Sequence, residues 1–245
     1  MKRSTLNGII CDALAFFKRT RFLLPPFAEY RLSDWKLCQD QATEIFDLQL
    51  GWDVTSFGSE DFNRTGLLMF TLRNGRLGDP VYPKSYAEKI MMVKEGQVTP
   101  RHFHWHKRED IINRGGGNLV IELFRADPAR NCLDDGAFTL KVNALEQSCR
   151  SGDKLILRPG DSVTLEAIHA HRFYGEPGHG SVLVGEVSCV NDDTNDNCFV
   201  DGVPRFDPIE EDEPAEHLLA SDYVAMLELK KKTVSAHLAP QGERA

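Results

Sequence analysis

The chain has 245 residues, 41% of them hydrophobic and 27% charged, with a formal net charge of −8. This is the composition of a soluble globular protein with a sizeable core, long enough for one large all-β domain with additions or for two small domains. The acidic balance argues against nucleic acid as a partner, because phosphate binding needs a basic stripe. No stretch approaches the roughly 18 apolar residues of a membrane span.

Residues 1–50 read as helical. Ile9 and Ile10 follow Lys2-Arg3 as they would in a secretory signal, but Asp12 interrupts the run and Lys18, Arg19 and Arg21 close it. An amphipathic helix with Leu6, Ile10, Ala13, Leu14 and Phe17 on one face fits better, running to about Phe22 before Pro25-Pro26 stops it. Ser33 is a plausible N-cap for a second helix through Trp35, Cys38, Ala42, Ile45, Phe46 and Leu48, ended by Gly51.

From Trp52 the pattern changes to short apolar runs punctuated by Gly, Asn, Asp and Pro: 66–72, 90–93, 119–124, 138–142, 154–157, 162–165 and 181–187. Many short strands at this spacing predict a β-sandwich or barrel over 52–206. Residues 113–118 are expected to turn a hairpin between the strands on either side. The polar stretch 191–197 reads as part of a long irregular loop, either functional or disordered, and 207–245 as a loop with a helix-like segment and a charged tail at Lys230–Lys232. The whole is expected to be one domain, with the helices packed on the barrel. The six cysteines, at 11, 38, 132, 149, 189 and 198, include no CxxC pair, as expected of reduced thiols in a cytoplasmic protein.

The chemistry concentrates in one frame: Gly96, His102-Phe103-His104, Glu109 and Gly116. Two histidines one residue apart on a strand project from the same face, with Cα atoms about 6–7 Å apart, a span two imidazoles close around one ion at about 2.1 Å per bond. Glu109 adds an anionic oxygen after a short turn. His104-x-His106 followed by Glu109 or Asp110 is a second possible triad, since His106 shares the parity. His102 and His106 would lie about 13 Å apart, too far to share an ion. The glycines favour 102 and 104, leaving His106 to face bound ligand or to point out beyond the strand end.

This frame matches the first motif of the cupin superfamily, whose second motif brings one more histidine from a later hairpin. Here Pro159-Gly160-Asp161 makes the turn and His171 follows, with His169 of the same parity more simply an ordinary strand residue. The resemblance narrows further. The segments PRHFHWHKREDIINRGGGNLVIELF, HRFYGE, GEVSCVNDDTNDN and RFDPIEEDEP, with LLPPFAEY and LGWDVTSFG upstream, resemble the D-lyxose isomerase family from about residue 20 to 225. Glu166-Ala167, where the family often has a proline-rich turn, and the additional His169 depart from it.

The resemblance implies a cupin-type barrel (a double-stranded jelly roll) and an aldose–ketose isomerase acting on D-lyxose, often also on D-mannose. It further implies a divalent metal, typically Mn²⁺, held by His102, His104, Glu109 and His171. Zn²⁺, Co²⁺ and Fe²⁺ are the other occupants such a ligand set admits. Isomerisation moves a proton between C2 and C1 through a cis-enediol, so a carboxylate shuttle is needed, its pKa raised by burial to work near neutrality. Glu210 or Glu211 is the first choice, because Arg205 and Phe206 suggest a segment folded over the pocket; a solvated acidic loop is the plainer alternative. Glu186 is the second choice, against a structural salt bridge. Lys94 and Lys107 are candidates for sugar oxygens against the reading of surface lysines, and Arg205 and His106 for substrate contact.

Two other readings share the motif. A metal dioxygenase would want a dry, apolar cavity, and a non-catalytic sugar-binding module would need no proton shuttle. The polar surroundings of the motif favour a polyol. A homodimer is expected through strands and terminal helices.

Overall fold

The computed structural model describes residues 1–127, 132–193 and 195–228, and the expected tail at Lys230–Lys232 lies outside them. The chain opens with α1 (Arg3–Arg19), followed by two short helices, α2 (Leu32–Cys38) and α3 (Thr43–Asp47). The second helix expected from the sequence is thus broken at residues 39–42. Its start is set by Asp34, whose carboxylate accepts from the Arg31 N–H at 2.8 Å, rather than by Ser33. Gly51 begins a strand with φ of 115° instead of simply ending a helix.

Fourteen strands follow among the described residues: β1 (Gly51–Thr55), β2 (Leu67–Arg73), β3 (Tyr86–Val93), β4 (His102–His104), β5 (Glu109–Gly116), β6 (Leu119–Asp127), β7 (Cys132–Asp134), β8 (Ala137–Val142), β9 (Leu145–Arg150), β10 (Lys154–Leu157), β11 (Ser162–Leu165), β12 (His169–Gly175), β13 (Val182–Cys189) and β14 (Asn197–Phe199). They form two antiparallel sheets. One is ordered β1-β2-β3-β13-β5-β11-β8-β9; the other is β10-β6-β12-β4-β14, with β7 on β6.

The expected hairpin across 113–118 is not formed. β5 pairs with β13 and β11, whereas β6 pairs with β10, β12 and β7, so this turn carries the chain from one sheet to the other. Gly116, at φ 81°, is needed there because a Cβ would come within 2.3 Å of the Ser181 carbonyl oxygen.

Strand parity builds two cores. On β2, β3 and β13 one face (Leu68, Phe70, Ile90, Met92, Leu183) packs against the apolar face of α1 (Leu6, Ile10, Ala13, Phe17). The other face (Met69, Met91, Val93, Val182, Val184) turns to the interior with Ile111, Leu123 and Phe173. Lys89 and Glu186 share the interior parity, which is why two ionisable side chains lie 3% and 6% exposed inside the barrel. The chain returns after residue 207 to close a third cluster of Trp35, Phe46, Leu218 and Tyr223. No helix among the described residues is long and apolar enough to cross a membrane.

Candidate active site

One pocket lies between the two sheets, lined on its polar side by His102, His104, His171, Glu109, Lys107 and Glu186, with Lys89, Asp193, Asn197 and Arg205 beyond them. β4 and β12 place the histidines. His102 and His104 share one face of β4, while Phe103 points away into a small cluster with Ala126 and Ala170. His171 stands directly opposite His102 across the antiparallel pair, so residues 69 apart in sequence bring their rings to 4.3 Å between centroids.

Backbone carbonyls orient two of the rings. His102 Nδ1 lies 2.9 Å from the Pro100 oxygen and His171 Nδ1 3.1 Å from the His169 oxygen. With Nδ1–H donating, each Nε2 lone pair is left for the pocket. His169 is set the other way: its Nδ1 accepts from the Glu166 N–H at 3.0 Å and its ring packs on Phe138, so it stays outside the site. Burial, and then the other histidines, push His102 well below its ordinary range. Burial pushes His171 down as well, with Glu109 opposing. Both are therefore neutral at pH 7, as ligands must be.

The donor set is unsatisfied in a way that suits a cation. His104 Nδ1 and Nε2 and Glu109 Oε1 are buried without a hydrogen bond, an arrangement costly in a pocket with nothing to bind. No three His, Cys, Asp or Glu side chains among the described residues stand in a finished ligand cage. His104 Nε2 and His171 Nε2 nonetheless lie 3.2 and 3.4 Å from the same Glu109 oxygen. That is the separation of neighbouring ligands each about 2.1 Å from one ion, roughly 3.0–3.4 Å. Spacing and orphaned atoms together fit one divalent ion at this point.

Beside these donors lies a buried ionic cluster. Lys107 Nζ bridges Glu109 Oε2 at 2.9 Å and Glu186 Oε1 at 2.8 Å. Lys89 Nζ approaches Glu186 at 3.5 Å and Asp193 at 3.7 Å, and donates to Asn191 Oδ1 at 2.5 Å. Burial pushes the Glu186 carboxyl up, but Lys107 and Lys89 outweigh it and hold it below the ordinary carboxylate range. Glu109 behaves alike: burial raises it, while Lys107 and His104 bring it well below.

Several expected residues stand elsewhere. Glu211 is held at the surface by the buried Arg3, 2.6 Å away, and Glu210 is exposed with its backbone bridged to Lys2. Neither lines the pocket, because the chain crosses it at Arg205 and then runs on to the start of α1. Lys94 donates to Asn63 Oδ1 at 3.0 Å, also away from the site. His106 is exposed; its backbone N–H is what contributes, donating to Asp196. Arg205 is in the pocket wall, paired with Asp53, with Nη1 buried and unpartnered.

Sequence reasoning missed Lys89, Asp193 and Asn197. Lys89 adjoins the apolar run 90–93 and shares the strand parity of Met91 and Val93, a signal that could have found it. The stretch 191–197 read only as a functional or disordered loop, with nothing to say which residues turn inward. Asp196 accepts from the N–H groups of His106 and Lys107 at 2.8 and 3.0 Å, which shapes the turn that delivers Lys107 into the pocket.

The chain matches the family model described as D-lyxose isomerase over residues 1–223. It is 51% identical over 228 residues to a D-lyxose/D-mannose isomerase of Serratia proteamaculans, covering 93% of this chain and 100% of that one. To a D-lyxose/D-mannose isomerase of Escherichia coli O157:H7 it is 48% identical over 224 residues, covering 91% and 98%. Among solved structures it resembles an L-ribose isomerase variant of Acinetobacter sp. DL28 in complex with L-ribose, with TM-score 0.58 and 15% identity over 86% of this chain and 98% of that one. The L-ribose isomerase of Cellulomonas parahominis with L-ribose gives TM-score 0.57 and 16% identity over the same shares. At such identity these two speak for the fold, a cupin-type barrel of curled antiparallel sheets. The matched length and the identity to the two curated relatives settle the family: this chain belongs to the D-lyxose isomerases, a family of aldose–ketose isomerases.

Proposed function

We propose that this protein interconverts D-lyxose and D-xylulose, and D-mannose and D-fructose, by metal-assisted proton transfer through a cis-enediol. The observation that carries the reading is the union, in one buried pocket, of four ligand-type side chains with a carboxylate that none of them uses: Glu186, bridged to Glu109 by Lys107. His102, His104, Glu109 and His171 would hold a divalent ion, Mn²⁺ first among the candidates. Such an ion supplies Lewis acidity toward two adjacent sugar oxygens.

The chain's own residues do the rest. Glu186 stays a carboxylate at neutral pH, so it accepts the C2 proton of an aldose and returns it at C1, taking over the role first assigned to Glu210 or Glu211. Its pKa is lowered rather than raised. Its basicity is therefore modest in the free pocket and is recovered as Lys107 swings its charge toward the developing oxyanion. Lys107 thus serves both as partner of the shuttle and as the relay that gives a proton to O1 and takes one back from O2, so that carbonyl and hydroxyl exchange places. Arg205, Asp193 and Asn197 offer donors and acceptors to the remaining hydroxyls, a lining that suits a polyol and not the dry cavity of a dioxygenase. A homodimer formed through the terminal helices and exposed strands belongs to the same proposal.

The test is to strip the protein with chelator, restore Mn²⁺ or Zn²⁺, and follow D-lyxose and D-mannose in D₂O by NMR. Ketose that forms only with metal and carries solvent deuterium at C1 is the expected result. Turnover in the stripped protein would refute the metal assignment; no turnover of either sugar under any condition would refute the substrate.

A further inference from the structure

Phe57 is a buried aromatic residue, 2% exposed, in a left-handed backbone conformation, φ 53°. A bulky side chain seldom adopts that region, and such strain persists where surrounding structure over-determines it. Here it does. The Asp207 carboxylate accepts from the backbone N–H groups of Ser56 and Gly58, from Ser56 Oγ at 3.0 Å and from Thr55 Oγ1 at 3.3 Å. Phe57 N–H in turn donates to Thr55 Oγ1 at 2.9 Å. Gly58 continues the left-handed turn at φ 74°, packed under Pro204. Four donors converging on one carboxylate thus aim one phenyl ring.

That ring lines the pocket. It lies 5.4 Å from the Phe199 ring, which lies 5.5 Å from His102, so the two phenyl groups make a continuous apolar wall reaching the ligand cluster. Phe57 follows β1 at the edge of its sheet, with β2 and β3 between it and the β13 strand of Glu186. It therefore closes the pocket on the β1 side. Arg205, whose Nη1 is unpartnered, is paired there with Asp53 of the same strand.

Resting on the isomerase reading above, we propose that Phe57 is the specificity-determining residue of this pocket, the stop against which the far end of the aldose chain comes to rest, and that Asp207 is its positioning residue. Arg205 Nη1 takes the last hydroxyl, and the phenyl wall limits how far the carbon chain extends past it. One added carbon in a closed apolar wall is worth about 10–200-fold in discrimination.

The test compares kcat/KM for D-mannose and D-lyxose in the wild type, Phe57→Leu and Phe57→Gly; glycine takes the positive φ without strain. Asp207→Ala is measured alongside. The six-carbon to five-carbon ratio is expected to rise about tenfold in both Phe57 variants and to move the same way in Asp207→Ala. An unchanged ratio in the two Phe57 variants, whether or not overall activity falls, overturns the assignment. Calorimetric binding of five- and six-carbon alditols to the same proteins reads the wall without turnover. If the wild type converts neither sugar, a ratio of alditol affinities that shifts in Phe57→Leu upholds the stop while the isomerase reading fails, and an unshifted ratio sinks both.

Discussion

At Glu186 two lysines decide the charge state. A carboxylate 6% exposed would ordinarily take up a proton, yet Lys107 at 2.8 Å and Lys89 at 3.5 Å keep it charged. Glu186→Gln removes the proposed base while preserving shape and most hydrogen bonding. Its kcat is expected to fall by about 10²–10⁴-fold with little change in KM; a parallel loss of sugar binding in equilibrium titration would mark Glu186 as a contact residue instead. His104→Ala is expected to lose bound metal, by elemental analysis, together with activity, while its far-ultraviolet circular dichroism stays that of the wild type. His104 was evident from spacing alone, since period 2 on a strand needs no tertiary information. Glu186 was visible only as a carboxylate within an apolar run, and choosing it over Glu210 or Glu211 required knowing where Arg3 is.

At the scale of elements, the site depends on connections that hold functional side chains without touching substrate. Asp196 accepts two backbone N–H groups at the end of β4 and so fixes the turn from His104 to Lys107. Asp196→Ala is expected to lower kcat by roughly tenfold or more with a KM nearly unchanged, and Asp196→Asn to restore part of it; equal damage in both variants to thermal stability and to KM would make the residue merely structural. Arg3, 3% exposed at its side chain, bonds Glu211 and Asp222 and so ties α1 to the returning chain. Glu211 is 60% exposed and regains water when released, whereas Asp222 at 17% does not do so fully. Arg3→Met is therefore expected to cost about 2–3 kcal/mol in denaturant unfolding, below the full loss of a buried pair. The strands at 154–157 and 162–165 were read to the residue, because their apolar runs are bounded by Gly, Pro and Asp. The supposed hairpin at 113–118 failed because turn chemistry says that the chain reverses, not which sheet the next strand joins.

Over the whole molecule, buried charge makes stability depend on pH. Glu109, Glu186 and Asp193 are each pushed up by burial and brought below the ordinary range by the lysines or, for Asp193, by Lys89 and Arg205. Their folded pKa values are thus depressed, and the unfolded chain binds more protons as the solution is acidified. The stability they contribute is complete above about pH 5 and is lost as pH falls through and below about 4. Thermal melts of the chelator-treated protein from pH 7 to pH 3 should show Tm falling steadily below about pH 5; a Tm that holds or rises over that interval would contradict the cluster's charge state. Alone, the amino-acid sequence determined the helical opening, the succession of short strands and the motif His102, His104 and Glu109, because each follows from local periodicity and turn residues. Tertiary structure decided the rest. Which strands pair, and therefore that His171 faces His102, that Lys89 and Glu186 meet Lys107 inside the barrel, and that Glu211 is spent on Arg3, depends on contacts between residues far apart in the chain, which no local pattern encodes.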